Sequence, residues 1–230
     1  MKDKIPISEE FYSLSGEGPN IGTPTVFVRT FGCNMKPVCS WCDSMYAVKK
    51  VDDTVKQLSL QDIAKQIHKF NCADITFTGG EPLLYEEELC EISRILQTLD
   101  PRCYYFHFET NGLLLPKHSQ CFDNVSYIVS PKLHALNKKY LETLQEWFAN
   151  TSKLRFVSSL KFVYENKESI VRIRMILSRL PLLHNPIYIM PEGNNLCVEK
   201  YKECAEVCLE YGWNMSARLQ NIIWGPKRGV

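Results

Sequence analysis

No stretch of this chain approaches the roughly 20 consecutive apolar residues that a membrane-spanning helix needs, and the Met1–Pro6 start lacks an apolar core of signal length. A cytosolic chain without a membrane partner is therefore expected. Charge of one sign is missing too. Lys and Arg total 27 against 26 Asp and Glu, a formal net charge of +1. No strong field draws the chain to nucleic acid or an anionic surface. Internal repeats, low-complexity tracts and long linkers are also absent, so residues 1–230 are read as a single domain. At 230 residues and 45% hydrophobic, that domain is large enough to bury a substantial core.

Cysteine is plentiful. There are 10, at positions 33, 39, 42, 72, 90, 103, 121, 197, 204 and 208. A secreted disulfide scaffold would be shorter and would carry a leader, so most are expected to be reduced thiols. Cys204 and Cys208 stand four apart on a predicted helix and are read, with Cys197, as buried thiols rather than as a second metal site. Only Cys33, Cys39 and Cys42 cluster tightly, in "FGCNMKPVCSWCDS". Thiolates select soft metals, chiefly zinc and iron–sulfur clusters. A structural zinc wants four protein ligands. A cubane held by three cysteines keeps one iron open for a small molecule. The spacing alone leaves cluster and zinc nearly even.

Strand and helix patterns alternate. Strands are predicted at Thr23–Gly32, Asp74–Pro82, Cys103–Gly112, Val125–Lys132, Ser158–Asn166 and Pro186–Gly193. Helices are predicted from Leu60 to Phe70 after a Ser59 N-cap, and over Glu86–Leu99, Tyr140–Phe148, Lys167–Arg179 and Glu199–Tyr211. In the first, Leu60, Ile63, Ala64, Ile67 and Phe70 form the apolar stripe; in the second, Leu89, Ile92, Leu96 and Leu99 do. About six strand–helix units suit a parallel sheet with outer helices, too few for a complete eight-unit barrel. A site is then expected at the carboxyl ends of the strands. There the cysteine loop, Thr78–Glu81, Glu109–Asn111, Ser130–Lys132 and Met190–Gly193 would share one rim.

The three-cysteine loop after the first strand, with Trp41 before the last cysteine, and "TGGEP" at Thr78–Pro82 resemble the radical S-adenosylmethionine (SAM) superfamily. Within it, "FYSLSGEGPNIGTPTVFVRTFGC", "CSWCDS", "ETNG", "SPK", "LKFV" and "IIWGPKRGV" resemble the 7-carboxy-7-deazaguanine synthase family. These stretches run from about residue 11 to the last. The first cysteine spacing departs from the family's usual C-x3-C-x2-C by two residues, and Ser15 replaces its usual glutamine.

The resemblance implies a partial (β/α)6-type barrel. It implies one 4Fe-4S cluster on Cys33, Cys39 and Cys42, with SAM on the open iron. An electron delivered by the cluster would break SAM to a 5′-deoxyadenosyl radical, which abstracts a substrate hydrogen. The substrate implied is 6-carboxy-5,6,7,8-tetrahydropterin, contracted to 7-carboxy-7-deazaguanine with loss of ammonia. SAM contacts are expected from Trp41, Asp43, Gly79, Gly80, Glu81, Ser130, Pro131, Lys132, Met190, Pro191 and Glu192. Gly79 and Gly80 would let backbone reach the SAM amine, and Glu81 would accept from it. Mg²⁺ is expected on Ser44, with Asp43 holding a bound water. Leu14, Ser15, Gly16, Glu17, Arg29, Thr78 and the Val230 carboxylate would face the pterin, and an Arg29–Glu17 salt bridge is the competing use of those two. A flavodoxin or ferredoxin-type reductant and a homodimer are also implied. A glycyl-radical activase would share the cysteines and "GGEP" but not "SGEG" and "WGPKRGV"; a zinc-binding module would share only the thiols.

Overall fold

The computed structural model describes residues 1–49, 54–149, 157–181, 185–193 and 197–230. Its centre is one sheet of nine strands: β1 (Lys4–Leu14), β2 (Pro24–Thr30), β3 (Lys56–Ser59), β4 (Asp74–Gly79), β5 (Tyr105–Thr110), β6 (Asn124–Val129), β7 (Val157–Tyr164), β8 (Ile187–Pro191) and β9 (Asn214–Met215), in the order β3-β1-β2-β4-β5-β6-β7-β8-β9. From β2 to β9 every pairing is parallel. β1 runs antiparallel to both β2 and β3. Among the described residues the edges β3 and β9 do not pair with one another, so the sheet described is an open α/β arc.

The expected parallel strands are all present. What the pattern misses is β1, the short strands β3 and β9, and the short helix at Leu219–Trp224; β1 is the longest of these. Its inward residues Ile5 and Ile7 are buried, but further along the strand presents Glu9 and Glu10, which break the apolar alternation that marks a half-buried strand.

The helices are α1 (Leu60–Lys69), α2 (Glu86–Leu99), α3 (Lys138–Ala149), α4 (Lys167–Leu177), α5 (Val198–Tyr211) and α6 (Leu219–Trp224). Ser59 Oγ accepts from Asp62 N at 3.1 Å to start α1, and Leu60, Ile63, Ala64 and Ile67 bury one face. Phe70 caps the helix and stacks on Tyr12. In α2, Leu89, Ile92 and Leu96 are buried. Leu99, expected with them, is 43% exposed because the helix stops there. From β4 onward the strand–helix alternation fails once. Between β5 and β6 lies only a short 3-10 turn, Ser119–Cys121.

The core packs Phe77, Phe106, Phe108 and Phe122 edge to face and offset, with ring centroids 5.1–6.4 Å apart. Each fully buried ring contributes about 1.5–3 kcal/mol. Toward the amino ends of the strands, His107 joins two neighbours: one ring nitrogen is 2.7 Å from Ser126 Oγ, the other 3.1 Å from Asp74 Oδ1. It satisfies polar groups on adjacent strands, far from the carboxyl rim. Cys204 and Cys208 are buried in the core under α5, while Cys197 is exposed. Among the described residues, no helix is long and apolar enough to cross a membrane.

Candidate active site

Parallel strands send all their carboxyl ends to one rim, so residues distant in sequence converge there. One cavity occupies that rim. It is lined by Cys33, Cys39, Trp41, Cys42, Asp43, Ser44, Thr78, Gly79, Gly80, Ser130, Lys132 and Met190, and by Leu14, Ser15, Gly16, Glu17, Arg29 and Val230. The residues expected to hold cofactor and those expected to hold substrate thus border a single space. Glu81, Pro131, Pro191 and Glu192 do not line it.

The cysteine loop leaves β2 and returns through a 3-10 turn at Met45–Ala47. Burial pushes all three thiols upward, Cys39 to about 11, and the nearby Lys132 cation works the other way at each. Lys132 Nζ lies 5.5 Å from the Trp41 ring centroid and donates to Ser130 Oγ at 3.0 Å. Met35 N donates to Cys33 Sγ at 3.4 Å, and Asn111 Nδ2 reaches the same sulfur at 3.9 Å. Three soft donors beside a fixed cation, with N–H groups aimed at a sulfur, match what a cluster asks of its surroundings. Among the described residues no three His, Cys, Asp or Glu side chains converge on a single-ion site.

The glycines of "TGGEP" also meet a packing need inside the chain. A Cβ on Gly79 would stand 2.2 Å from Thr30 O, and one on Gly80 would stand 2.0 Å from Gly32 O. Gly80 N donates to Thr30 O at 3.3 Å, and Glu81 N to Gly32 O at 2.8 Å. Their missing side chains let the end of β4 close against the start of the cysteine loop, while their other side faces the cavity. Glu81 is fully buried, and its carboxylate accepts from Thr110 Oγ1, Asn111 N and Leu83 N at 2.8–3.1 Å. With those oxygens engaged inside the rim, it braces the 109–111 turn. Glu192 pairs with Lys200 at 2.5 Å, while Pro131, just past β6, and Pro191, the last residue of β8, are buried.

Ser44 Oγ donates to Asp43 Oδ1 at 2.8 Å and accepts from Arg29 Nη1 at 3.3 Å. The salt bridge weighed between Arg29 and Glu17 is not formed. Arg29 Nε binds Glu9 Oε2 at 3.1 Å, and Glu9 also takes Tyr46 Oη at 2.8 Å and Arg228 Nε at 2.9 Å. Arg228 stacks 3.5 Å from the Tyr46 ring centroid, which holds the tail ending at Val230 over the cavity.

Glu17 is held by other cations. Lys161 Nζ lies 2.8 Å from Glu17 Oε2 and 3.4 Å from Glu109 Oε1, and Glu109 Oε2 accepts from Thr78 Oγ1 at 2.9 Å. Burial works against charge at Glu17, but Lys161 and Arg218 outweigh it and hold the carboxyl far below the usual range. For Lys161 the balance is mirrored: burial disfavours the cation, and Glu109 and Glu17 raise its pKa above that of ordinary lysine. Sequence reasoning placed Glu109 and Asn111 on the rim without a role and missed Lys161, Arg218 and Gln220. A lysine inside the apolar run "LKFV" was the available signal, because a lysine buried in a sheet must find carboxylates. Phe11 and Phe27 complete an aromatic wall of the cavity, 5.0 Å between centroids.

Comparison with known proteins agrees with this arrangement. Residues 27–147 match the Radical SAM superfamily. A 7-carboxy-7-deazaguanine synthase of Halobacterium salinarum is 31% identical over 96% of this chain and 90% of its own. Synthases of the same name from Buchnera aphidicola and Hyperthermus butylicus are 30% and 28% identical, over 95% and 96% of this chain and 97% and 94% of theirs. Among solved structures, QueE from Escherichia coli superposes with a TM-score of 0.69 at 22% identity, over 94% of each chain. Streptococcus suis SuiB bound to S-adenosylmethionine gives 0.52 at 11% identity, over 81% of this chain and 53% of that one. With the cysteine loop and glycine turn at one rim and near full-length similarity to enzymes of a single name, the chain belongs to the radical SAM superfamily and, within it, to the 7-carboxy-7-deazaguanine synthases.

Proposed function

We propose that this chain converts 6-carboxy-5,6,7,8-tetrahydropterin to 7-carboxy-7-deazaguanine with loss of ammonia, using the residues gathered at the rim. The observation that carries the reading is the single cavity. It joins Cys33, Cys39 and Cys42 to Glu17, Arg29, Thr78 and Val230, so a cofactor on the thiols and a substrate beside Glu17 and Arg29 would share one space.

Cys33, Cys39 and Cys42 would hold the 4Fe-4S cluster, and Trp41, Gly79, Gly80, Ser130, Lys132 and Met190 would border SAM. Loaded with both, the site would gain the radical hydrogen-abstraction chemistry of the cofactor pair. The protein's part is position and exclusion. Phe11 and Phe27 present flat apolar faces suited to a bicyclic ring. Leu14, Ser15 and Gly16 border its edge. The ionised Glu17, kept charged by Lys161, accepts from ring N–H groups. Thr78 and Glu109, already bonded to one another, continue that polar edge. Arg29 offers its remaining guanidinium donors to the substrate carboxylate.

Mg²⁺ belongs to the same reading. Ser44 Oγ and Asp43 Oδ1, 2.8 Å apart on the cavity wall, are hard oxygen donors of the kind this ion takes alongside several waters. A flavodoxin or ferredoxin-type protein would supply electrons. A homodimer suits the exposed Ile222 and Ile223 on α6.

The test is anaerobic reconstitution, then incubation with SAM, dithionite and the tetrahydropterin, with and without Mg²⁺, for wild type and Ser44→Ala. Wild type should carry about four irons and form the deazaguanine, and Ser44→Ala should lose the stimulation by Mg²⁺. A colourless protein holding zinc, or an iron-loaded one that makes no deazapurine, overturns the reading.

A further inference from the structure

Arg218 precedes α6 and is only 5% exposed. Its guanidinium reaches three separate loops. Nη2 binds the Asp43 carboxylate, inside the cysteine loop. Nη1 donates to Gly193 O at 2.6 Å, in the loop after β8 that follows Met190. Nε stands 3.3 Å from Glu17 Oε1, in ion-pair contact with the loop at the other end of the cavity. The next residues tighten the last of these. Leu219 N donates to Gly16 O at 2.9 Å, and Gln220 Nε2 to Glu17 Oε1 at 2.8 Å. Gly16 packs directly against this amide: a Cβ there would stand 1.8 Å from Gln220 Oε1 and would force the Gln220 side chain to move.

We infer that Arg218 is a positioning residue that ties the order of the Ser15–Glu17 loop to the occupied state of the cofactor end. This rests on the assignment of Asp43 and the Met190–Gly193 segment to the SAM side and of Glu17 to the pterin side. A buried guanidinium is tolerable only while its carboxylates and carbonyl surround it; withdrawing one strands charge in a poorly solvated place. The cysteine loop, the loop after β8 and the substrate loop are therefore stable together and costly to displace singly. A ligand that orders Asp43 and Gly193 lowers the free energy needed to order Glu17. By linkage, substrate tightens the hold on SAM by the same factor. The consequence for turnover is fidelity: SAM is committed to cleavage when the pterin loop is already closed.

The test uses cluster-loaded full-length protein. Hydrogen exchange at the amides of residues 15–17 is followed with and without SAM and no reductant. Deoxyadenosine released per deazaguanine formed is then measured under turnover, for wild type, Arg218→Lys, Arg218→Ala and Asp43→Asn, each first checked for iron content and thermal unfolding. SAM should slow exchange at 15–17 in wild type. Arg218→Ala should lose that protection and release about tenfold more deoxyadenosine per product. Arg218→Lys, which keeps charge but not the three-way fork, should fall between, as should Asp43→Asn, which cuts one arm. If Arg218→Ala does not fold, the last two variants decide. The inference is overturned if folded, iron-loaded variants keep wild-type protection and a deoxyadenosine ratio within about twofold, or if SAM gives wild type no protection at 15–17. Failure of the functional reading looks different: wild type then makes no deazaguanine, while the exchange experiment still decides the coupling.

Discussion

A single methyl group is enough to disturb the rim at Gly80. Its Cβ would meet Gly32 O at 2.0 Å, and both partners are backbone with nowhere to go. Gly80→Ala should cost about 3 kcal/mol or more and lower iron loading, because the displaced segment leads directly into Cys33; urea unfolding and iron analysis read both effects. Gly22→Ala is the contrast. It has a φ of +84° but open space around it, so only the left-handed backbone is penalised, by about 1–2 kcal/mol, with iron content unchanged. Glu81 gives a second prediction at this scale. Its carboxylate satisfies three donors in a fully buried place. Glu81→Gln replaces an acceptor oxygen by an N–H that faces donors, and should destabilise by about 1–3 kcal/mol. Loss of SAM affinity without loss of stability would instead show a direct ligand contact.

Among the elements, β1 has the largest consequence. As an antiparallel strand beside the parallel set, it brings Glu9 to Arg29 and Phe11 to the cavity. It also carries Glu10, whose pKa is pushed up to about 7 by burial, with Lys56 opposing and Asp62 adding to the shift. Among the described residues the buried carboxyl oxygen Oε1 finds no hydrogen-bond partner. Between pH 4.5 and 7 the folded chain keeps this proton and the unfolded chain releases it, so stability falls as pH rises through that window. Glu10→Gln should therefore be nearly neutral at pH 4.5. At pH 8 it should raise stability by about 1 kcal/mol after screening by solvent, which is about 2–4 °C in thermal midpoint for a chain of this size. Equal midpoint changes at both pH values would refute the assignment.

For the whole molecule, the buried charges at the rim join the N-terminal loop, the middle of the sheet and the C-terminal helix. Lys161 is 5% exposed between Glu17 and Glu109. Lys161→Ala leaves two carboxylates without that cation and should cost about 3–5 kcal/mol. Adding Glu17→Gln should recover part of the loss, since one uncompensated charge is removed; a thermal unfolding cycle over the four proteins measures it. Recovery of nothing would mean that Lys161 stabilises through packing alone.

How much of this was legible depends on whether the determining interaction is local. Ser59 before Leu60, Ile63 and Ile67, the apolar strands at 74–79 and 124–129, and Cys33, Cys39 and Cys42 within one loop are short-range patterns. The rim was legible as well, because parallel strands must end on one side. Arg29 with Glu9 and Lys161 with Glu17 were not, since each carboxylate had several cations available and only packing chose among them. The sequence by itself determined the parallel strands from 23 to 193, the five longer helices, the thiol trio and the family. The tertiary structure alone decided that β1 joins the sheet antiparallel, that Gly79 and Gly80 pack against Thr30 and Gly32, that Glu81 is turned inward, and that Arg218 meets Asp43, Gly193 and Glu17. The physical reason is that a buried charge takes its partners from whatever the folded sheet brings within a few ångströms, and sequence separation carries no record of that distance.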